Sequence, residues 1–403
     1  MVHFRFKNTY FFSVILMLSV FIFYGYACDS NVEKITQNKI VVGANQTSEY
    51  LPLLKGKNVA VVANQTSVIF KDDDSYVHLV DSLISQKINI VKVFAPEHGF
   101  RGKADAGEHV ADGIDTKTNL PVFSLFGKNR KPKLELLNDV DIVVFDIQDV
   151  GVRFYTYIST MSNMMEACAE KGIKMLILDR PNPNGHYIDG PTLEPEHTSF
   201  VGMHPIPLVY GMTIGEYAKM VNGEGWLKDG IQCDITIITL KNYNHQSEYN
   251  LPIRPSPNLP NDKSINLYPS LGFFEGTIIN AGRGTEFQFQ RYGAPFFSED
   301  DFNYTPKPNF GSKYPKFDGE KCYGVDLTST EKLSKVDISF LVDAFNKTPK
   351  DKEFFGKTFT VHAGTLKLQE QIEAGMTPDE ISDSWKTDVE KFKLARAKYL
   401  IYK

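Results

Sequence analysis

Between residues 57 and 240, short runs rich in Val and Ile alternate with stretches of helical spacing. No other feature of the chain constrains its fold so strongly. The runs Asn58–Ala63, 88–95, 141–147, Lys174–Leu178 and 233–240 are almost unbroken by polar residues. A strand with no polar face must be covered on both sides, which is the condition of parallel strands in α/β proteins. The intervening segments 76–86, 156–171 and 213–227 read as helices. Thr213-Ile-Gly-Glu216 has the spacing of a capping box, and Gly172 stands where a helix would stop. Alternation of this kind predicts an open, doubly wound α/β domain with a mostly parallel sheet.

A chain of 403 residues exceeds the usual size of one domain. The Pro-rich passage Leu251-Pro-Ile-Arg-Pro-Ser-Pro-Asn-Leu-Pro260 breaks the pattern and predicts a border, giving an α/β domain over 45–248 and a smaller α+β domain over 249–403 that closes a cleft. Beyond the border the chain is aromatic and Gly-rich to Phe297, then loop-like to Asp337. Helical spacing returns at 336–346 and 377–400.

Composition limits the function classes. Hydrophobic residues make up 42% and charged residues 23%, the balance of a globular chain. A net charge of −5 supplies no basic field for nucleic acid. Arg5 and Lys7 precede an uncharged apolar run from Phe11 to Tyr26, too short to span a membrane and right for a signal peptide over residues 1–28. The run ends in Gly25-Tyr-Ala-Cys28, so Cys28 is a candidate for lipidation; cleavage after Ala27 is the alternative. Either route predicts export, to the periplasm or to the outer membrane of a Gram-negative-type cell as a lipoprotein, with membrane contact only through that anchor. Cys168, Cys233 and Cys322 are too far apart for a metal box or disulfide framework and read as core residues. No metal or cofactor is expected: a Gly-x-Gly-x-x-Gly after the first strand, a Walker A string and a Gly-x-Ser-x-Gly elbow are all absent.

In open parallel sheets, ligands bind beyond the carboxyl ends of the strands. Those ends run here into Asn64-Gln-Thr-Ser67, Pro96-Glu-His-Gly-Phe-Arg-Gly102, Asp146-Ile-Gln-Asp-Val-Gly-Val-Arg153 and Asp179-Arg-Pro-Asn-Pro183. Glu97 follows an apolar strand and a Pro, so it sits on stiff backbone in dry surroundings and suits a general acid. His98 and Arg101 can tune it or hold substrate; an Arg101–Glu97 pair that merely fixes the loop is the structural alternative. Asp149 and Arg153 share a second loop and allow the same two readings. Glu108, in Ala106-Gly-Glu108, is a further carboxylate. Later, Phe274-Glu-Gly-Thr277 carries Glu275, and Gly282-Arg-Gly-Thr285 presents Arg283 for bidentate contact with a carboxylate. Phe287, Phe289 and Tyr292 can stack on a sugar or fill a core.

These strings, together with Leu120-Pro-Val-Phe-Ser-Leu-Phe-Gly127, Phe145-Asp-Ile-Gln-Asp-Val-Gly-Val-Arg-Phe-Tyr-Thr-Tyr157, Gly211-Met-Thr-Ile-Gly-Glu216 and Pro255-Ser-Pro-Asn258, occur in one order over residues 55 to 295. They resemble the NamZ-type exo-β-N-acetylmuramidases. The resemblance implies a Rossmann-like N-terminal domain, a smaller C-terminal domain and a cleft between them. The activity it implies is release of N-acetylmuramic acid (MurNAc) from the non-reducing end of peptidoglycan-derived saccharides such as MurNAc-GlcNAc. It places the catalytic glutamate in the Pro-Glu-His-Gly string, at Glu97. Candidates for substrate binding are then Asn64, His98, Arg101, Arg153, Tyr157, Asp179, Arg180, Asn258, Arg283 and Thr285. Tyr210 departs from the family pattern, which has His before Gly-Met-Thr.

Glu97 is expected to protonate the glycosidic oxygen, while Asp149, Glu108 or Glu275 acts as nucleophile or base. The substrate's own acetamide is a further possibility for that second group. The rival readings are an endo-acting muramidase, a muropeptide-binding lipoprotein without catalysis, and an esterase or deacetylase.

Overall fold

The computed structural model describes Met1 and residues 39–102, 112–299 and 302–403. The expected export segment with Cys28, and the candidate Glu108, lie outside the described residues. Ile40–Lys403 form one compact unit.

Helix α1 (Thr47–Leu54) leads into β1 (Asn58–Ala63), then a hairpin of β2 (Val68–Phe70) and β3 (Tyr76–His78), and α2 (Leu79–Ser85). Next come β4 (Asn89–Ala95), β5 (Gly113–Ile114), β6 (Pro121–Ser124), β7 (Ile142–Asp146), α3 (Tyr157–Lys171), β8 (Lys174–Leu178), α4 (Ile214–Gly223) and β9 (Ile235–Ile238). The main sheet has the order β5-β6-β4-β1-β7-β8-β9. Every neighbouring pair is parallel except β5 on β6. The chain therefore steps outward from β1 through β4 to β6, then crosses to β7 on the other side of β1 and steps outward again. That reversal leaves a crevice at the carboxyl ends of β1 and β7, the position where doubly wound sheets hold ligands.

Alternate residues along the strands supply two separate cores, as the period of two in a strand requires. Ala60, Val62, Val143, Phe145, Met175 and Ile177 face Met161, Met164 and Met165 of α3. Val59, Val61, Ala63, Ile142, Val144, Leu176 and Leu178 face Tyr50 and Leu54 of α1 and Leu79 and Leu83 of α2. Each large apolar side chain so buried contributes roughly 1.5–3 kcal/mol against the entropy of folding. Thr213 and Glu216 form the expected capping box at α4, and Gly172 ends α3 in the left-handed region at φ 64°.

The second half comprises α5 (Asp262–Leu271), a three-stranded antiparallel sheet of β10 (Arg291–Ala294), β11 (Phe302–Tyr304) and β12 (Cys322–Asp326), and the helices α6 (Ser339–Lys347), α7 (Phe359–Ala363), α8 (Lys367–Glu373), α9 (Pro378–Ser384) and α10 (Lys386–Arg396). The first core runs on into this half through Phe273, Phe274, Leu341, Phe359 and Trp385. No helix among the described residues is long and apolar enough to cross a membrane.

Some local expectations are corrected. Segment 76–86 does not begin as helix: Tyr76 and Val77 pair with Phe70 and Ile69, and the His78 ring caps α2 by accepting from the Val80 amide at 3.3 Å. Pro121–Ser124, not anticipated as a strand, joins the sheet beside β4, with Pro121 on the β5 side where its missing N–H matters least. The region 377–400 is two helices broken at Trp385, whose indole donates to Asp189 at 2.8 Å. Cys233 precedes β9 rather than opening it, held at both backbone groups by Asn222, although it and Cys168 are buried as expected.

Candidate active site

The carboxyl ends of β1, β4 and β7 deliver three side chains to one region. Asn64, directly after β1, is fully buried. Its Oδ1 accepts from the amide and hydroxyl of Thr66 at 2.8 and 2.6 Å, and Thr66 Oγ1 accepts from the Gln148 amide at 3.0 Å. The turns after β1 and β7 are thus tied together. With Oδ1 occupied, the amide Nδ2 lies against the Tyr157 hydroxyl without a hydrogen bond of ordinary geometry.

Glu97 follows β4 on a turn closed by the Gly99 amide and the Pro96 carbonyl at 3.0 Å. His98 has φ 70°, a conformation that costs a non-glycine residue about 1 kcal/mol and persists only where neighbours enforce it. The enforcing contact is Ser256 of the Pro-rich passage, whose Oγ lies 3.1 Å from His98 Nε2. Glu97 is half-buried and its Oε2 accepts from Thr156 Oγ1 at 2.9 Å. Thr156 is the residue before α3, so the carboxylate meets the amino end of that helix.

Asp149 lies deeper. Its Oδ2 accepts from the Gly151 amide at 2.7 Å and from the Tyr210 hydroxyl, whereas its Oδ1 has no hydrogen-bond partner among the described residues. Burial pushes its carboxyl up to about 6, against the pull of the Tyr210 and Gly151 hydrogen bonds. A raised value means that the folded protein holds this proton more tightly than the unfolded chain. The resulting stability is complete below about pH 4 and is lost as pH rises through 6, up to about 3 kcal/mol. Asp149→Asn is therefore expected to flatten the fall in urea resistance between pH 4 and 7. An unchanged pH slope would show that Asp149 does not titrate this way.

Aromatic side chains bind these groups into one cluster. The Tyr155 and Tyr157 hydroxyls donate to the Pro255 carbonyl at 2.7 and 3.3 Å, with their rings edge-on at 4.7 Å. Tyr268 of α5 contacts Phe154 at 5.0 Å and Phe289 at 4.7 Å. Burial raises its hydroxyl, and the charges of Glu275, Arg283, Glu97 and Asp149 all act on it. Glu275 and Arg283 form a two-point pair at 2.9 and 2.9 Å. Burial pushes Glu275 upward, but the Arg283 charge and hydrogen bond outweigh it and hold the carboxyl below its usual range. Asn258 is buried, and neither atom of its carboxamide has a hydrogen-bond partner among the described residues. Such an orphan in a packed interior calls for a ligand or water.

Other residues expected to bind substrate have partners within the protein. Arg101 is held by Asp115 at 3.2 and 2.8 Å and by Asp81 at 3.3 Å, so it pairs with neither Glu97 nor an open cleft. Arg153 is buried with no carboxylate partner among the described residues: it donates to the carbonyls of Pro191, Ile206, His362 and Ala363, fastening the end of α7 to the first half. Burial lowers it to about 9. An Asp149–Arg153 ion pair, the structural alternative for these two residues, is not formed among the described residues: each has other partners. Asp179 accepts from Arg180 N, Gly215 N, Thr213 Oγ1 and Tyr402 OH, which fixes α4 and the chain end. Arg180 is paired with Asp146 at 2.6 and 2.9 Å. Thr285 closes its own turn onto the Gly282 carbonyl at 2.7 Å. Arg283 already has its bidentate carboxylate, Glu275, inside the protein. Phe289 and Tyr292 are buried, and Phe287 stacks on Arg291 at 4.0 Å.

The sequence reading missed Thr156, Tyr210, Ser256 and Tyr268. Thr156 and Ser256 lie inside strings already singled out, Tyr210 stands out only as the departure from His before Gly-Met-Thr, and Tyr268 carries no signal beyond being aromatic. Among the described residues there is no cluster of His, Cys, Asp or Glu suited to a metal ion. A carboxylate on a hydroxyl, a buried acid near 6, tyrosine walls and amides without partners among the described residues suit a polyhydroxylated ring and a proton transfer.

Comparison with known proteins agrees with this chemistry. Residues 59–263 match the family model described as exo-beta-N-acetylmuramidase NamZ, N-terminal, and residues 266–402 the corresponding C-terminal model. The chain is 39% identical over 397 residues to the peptidoglycan beta-N-acetylmuramidase NamZ of Bacillus subtilis (strain 168), covering 93% of this chain and 94% of that one. A solved DUF1343 family protein of Bacteroides fragilis NCTC 9343 has a TM-score of 0.83 at 45% identity, over 91% of this chain and 99% of its own. A second from the same organism has a TM-score of 0.78 at 29% identity, over 90% and 99%.

Proposed function

This chain belongs to the NamZ exo-β-N-acetylmuramidase family, and on that footing we propose that it hydrolyses the β-glycosidic bond of terminal MurNAc in peptidoglycan fragments, with Glu97 as proton donor. The observation that carries the assignment is the placement of Glu97 just beyond β4, the strand beside the β1–β7 switch point, on Thr156 and beside the tyrosine cluster. Glu97 gives its proton to the glycosidic oxygen as the bond to the anomeric carbon lengthens, and the leaving sugar departs as an alcohol. Asp149 is the second acid–base group: it takes a proton from the water that bonds to the anomeric carbon, so that MurNAc is released as the free sugar. Glu275 is neutralised by Arg283, whereas Asp149 keeps an oxygen without a hydrogen-bond partner among the described residues, next to the same tyrosines. Asn64 and Asn258 supply amides for the acetamido sugar. The basic residues and apolar run before Cys28 support export, with lipidation at Cys28 anchoring the enzyme at the membrane where wall fragments are generated.

The test is hydrolysis of a chromogenic β-MurNAc glycoside beside the matching β-GlcNAc glycoside. Release from MurNAc at a rate at least about tenfold higher is expected, because the lactyl group is the only difference between the two sugars. Equal release from both would contradict a muramidase, and binding of MurNAc-GlcNAc without release from either would favour a carrier.

A further inference from the structure

Segment 307–315 was anticipated only as loop, yet it is braced at both of its edges against the candidate site. On one edge, Lys307 N donates to the Gly284 carbonyl at 2.8 Å and Asn309 Nδ2 to the Thr285 carbonyl at 3.0 Å, which ties it to the turn carrying Arg283. On the other, Gly311 packs so closely that a Cβ there would stand 2.8 Å from Asn258 Oδ1 and 2.9 Å from the Pro257 carbonyl. Asn258 belongs to the same short passage as Ser256, which holds His98 beside Glu97. Between these braces, Asn309 and Ser312 exchange backbone hydrogen bonds at 2.9 and 3.2 Å, and Asn309 Oδ1 accepts from the Gly311 amide at 3.2 Å. The result is a tight turn whose tip is Phe310.

Phe310 is 62% exposed and Tyr314, on the same segment, 94% exposed. An isolated apolar side chain on a surface needs no explanation, but two large exposed rings on one short segment at the rim of a site, one of them at the tip of a braced turn, do. Their rigid setting matters energetically. A ring already fixed by its backbone loses little freedom when a flat ligand face covers it.

We propose that Phe310 and Tyr314 form a stacking platform for the N-acetylhexosamine ring that follows the scissile bond. The inference rests on the muramidase reading above, because an enzyme that removes one terminal sugar encloses that sugar and leaves only the departing part of the chain outside the pocket. The occupant is thus a sugar ring on the leaving-group side, whose apolar face covers the aromatic rings.

Two substrates separate the platform from the catalytic centre: MurNAc-GlcNAc, with a ring in the leaving group, and methyl β-MurNAc, with none. The wild-type protein should cleave both. In Phe310→Ala/Tyr314→Ala, kcat/KM for the disaccharide should fall about tenfold, mainly through KM, while the methyl glycoside changes less than about twofold. Phe310→Trp/Tyr314→Phe, which keeps both rings, should restore the disaccharide value. An equal loss on both substrates, or no loss on the disaccharide, would overturn the platform while leaving the muramidase reading intact. Failure of the wild-type protein to cleave either substrate would instead overturn that reading, and the platform with it.

Discussion

Glu97→Gln should lower kcat/KM on MurNAc-GlcNAc by about 10³-fold, within the 10²–10⁴ usually lost with a general acid, and should leave the unfolding midpoint nearly unchanged. The fold should tolerate the change because a glutamine oxygen can still accept from Thr156 Oγ1, now 2.9 Å from Glu97 Oε2. What disappears is the transferable proton. The loss should therefore depend on the leaving group. A dinitrophenyl glycoside departs as a stabilised anion and needs no protonation, so the variant should retain most of the cleavage step there. A uniformly large loss would identify Glu97 as nucleophile rather than acid. Unchanged turnover on both substrates would remove it from the chemistry altogether.

Arg180→Ala should have the largest effect on stability, about 3–5 kcal/mol, because it strands a buried charge. Arg180 Nε and Nη2 donate to Asp146 at 2.6 and 2.9 Å, and Nη2 also reaches the Val68 carbonyl at 2.9 Å. Neither side chain is more than 2% exposed. Asp146 ends β7, one residue before the turn that leads to Asp149, so the pair sits under the site without facing it. Burial pushes the Asp146 carboxyl upward, and Arg180 opposes that shift. Without the guanidinium the shift grows. The variant should recover part of its stability as pH falls and Asp146 takes up a proton. Asp146→Asn in the same background should also recover much of the loss. Urea titrations of the three proteins measure this. A rise in KM with unchanged stability would return Arg180 to the substrate-binding role that its position at a strand end first suggested.

That contrast shows which parts of the molecule could be read from the sequence. Strand and helix periodicity gave the α/β sheet because burial on both faces leaves its mark residue by residue, as in Val59–Ala63 and Ile142–Phe145. The positions of Asn64, Glu97 and Asp149 were legible for a related reason: they lie one to three residues beyond the ends of buried strands, and the sheet order brings those ends together. The arginines were not. Arg153 reaches the Ala363 carbonyl 210 residues away, and Arg180 finds Asp146 34 residues back. A charge at a strand end looks the same in sequence whether its partner is a substrate or a distant loop. Tyr268 and Phe310 were equally hidden, since each owes its position to long-range packing rather than to a local pattern.

The central claim is that Glu97 drives removal of single MurNAc residues from the non-reducing end. Its most direct test is to follow the products of a MurNAc-GlcNAc tetrasaccharide, with the wild-type protein and Glu97→Gln side by side. The account predicts free MurNAc together with the shortened trisaccharide as first products, formed about 10³-fold more slowly by the variant despite retained binding. Disaccharides as first products, or equal turnover by the two proteins, would contradict it.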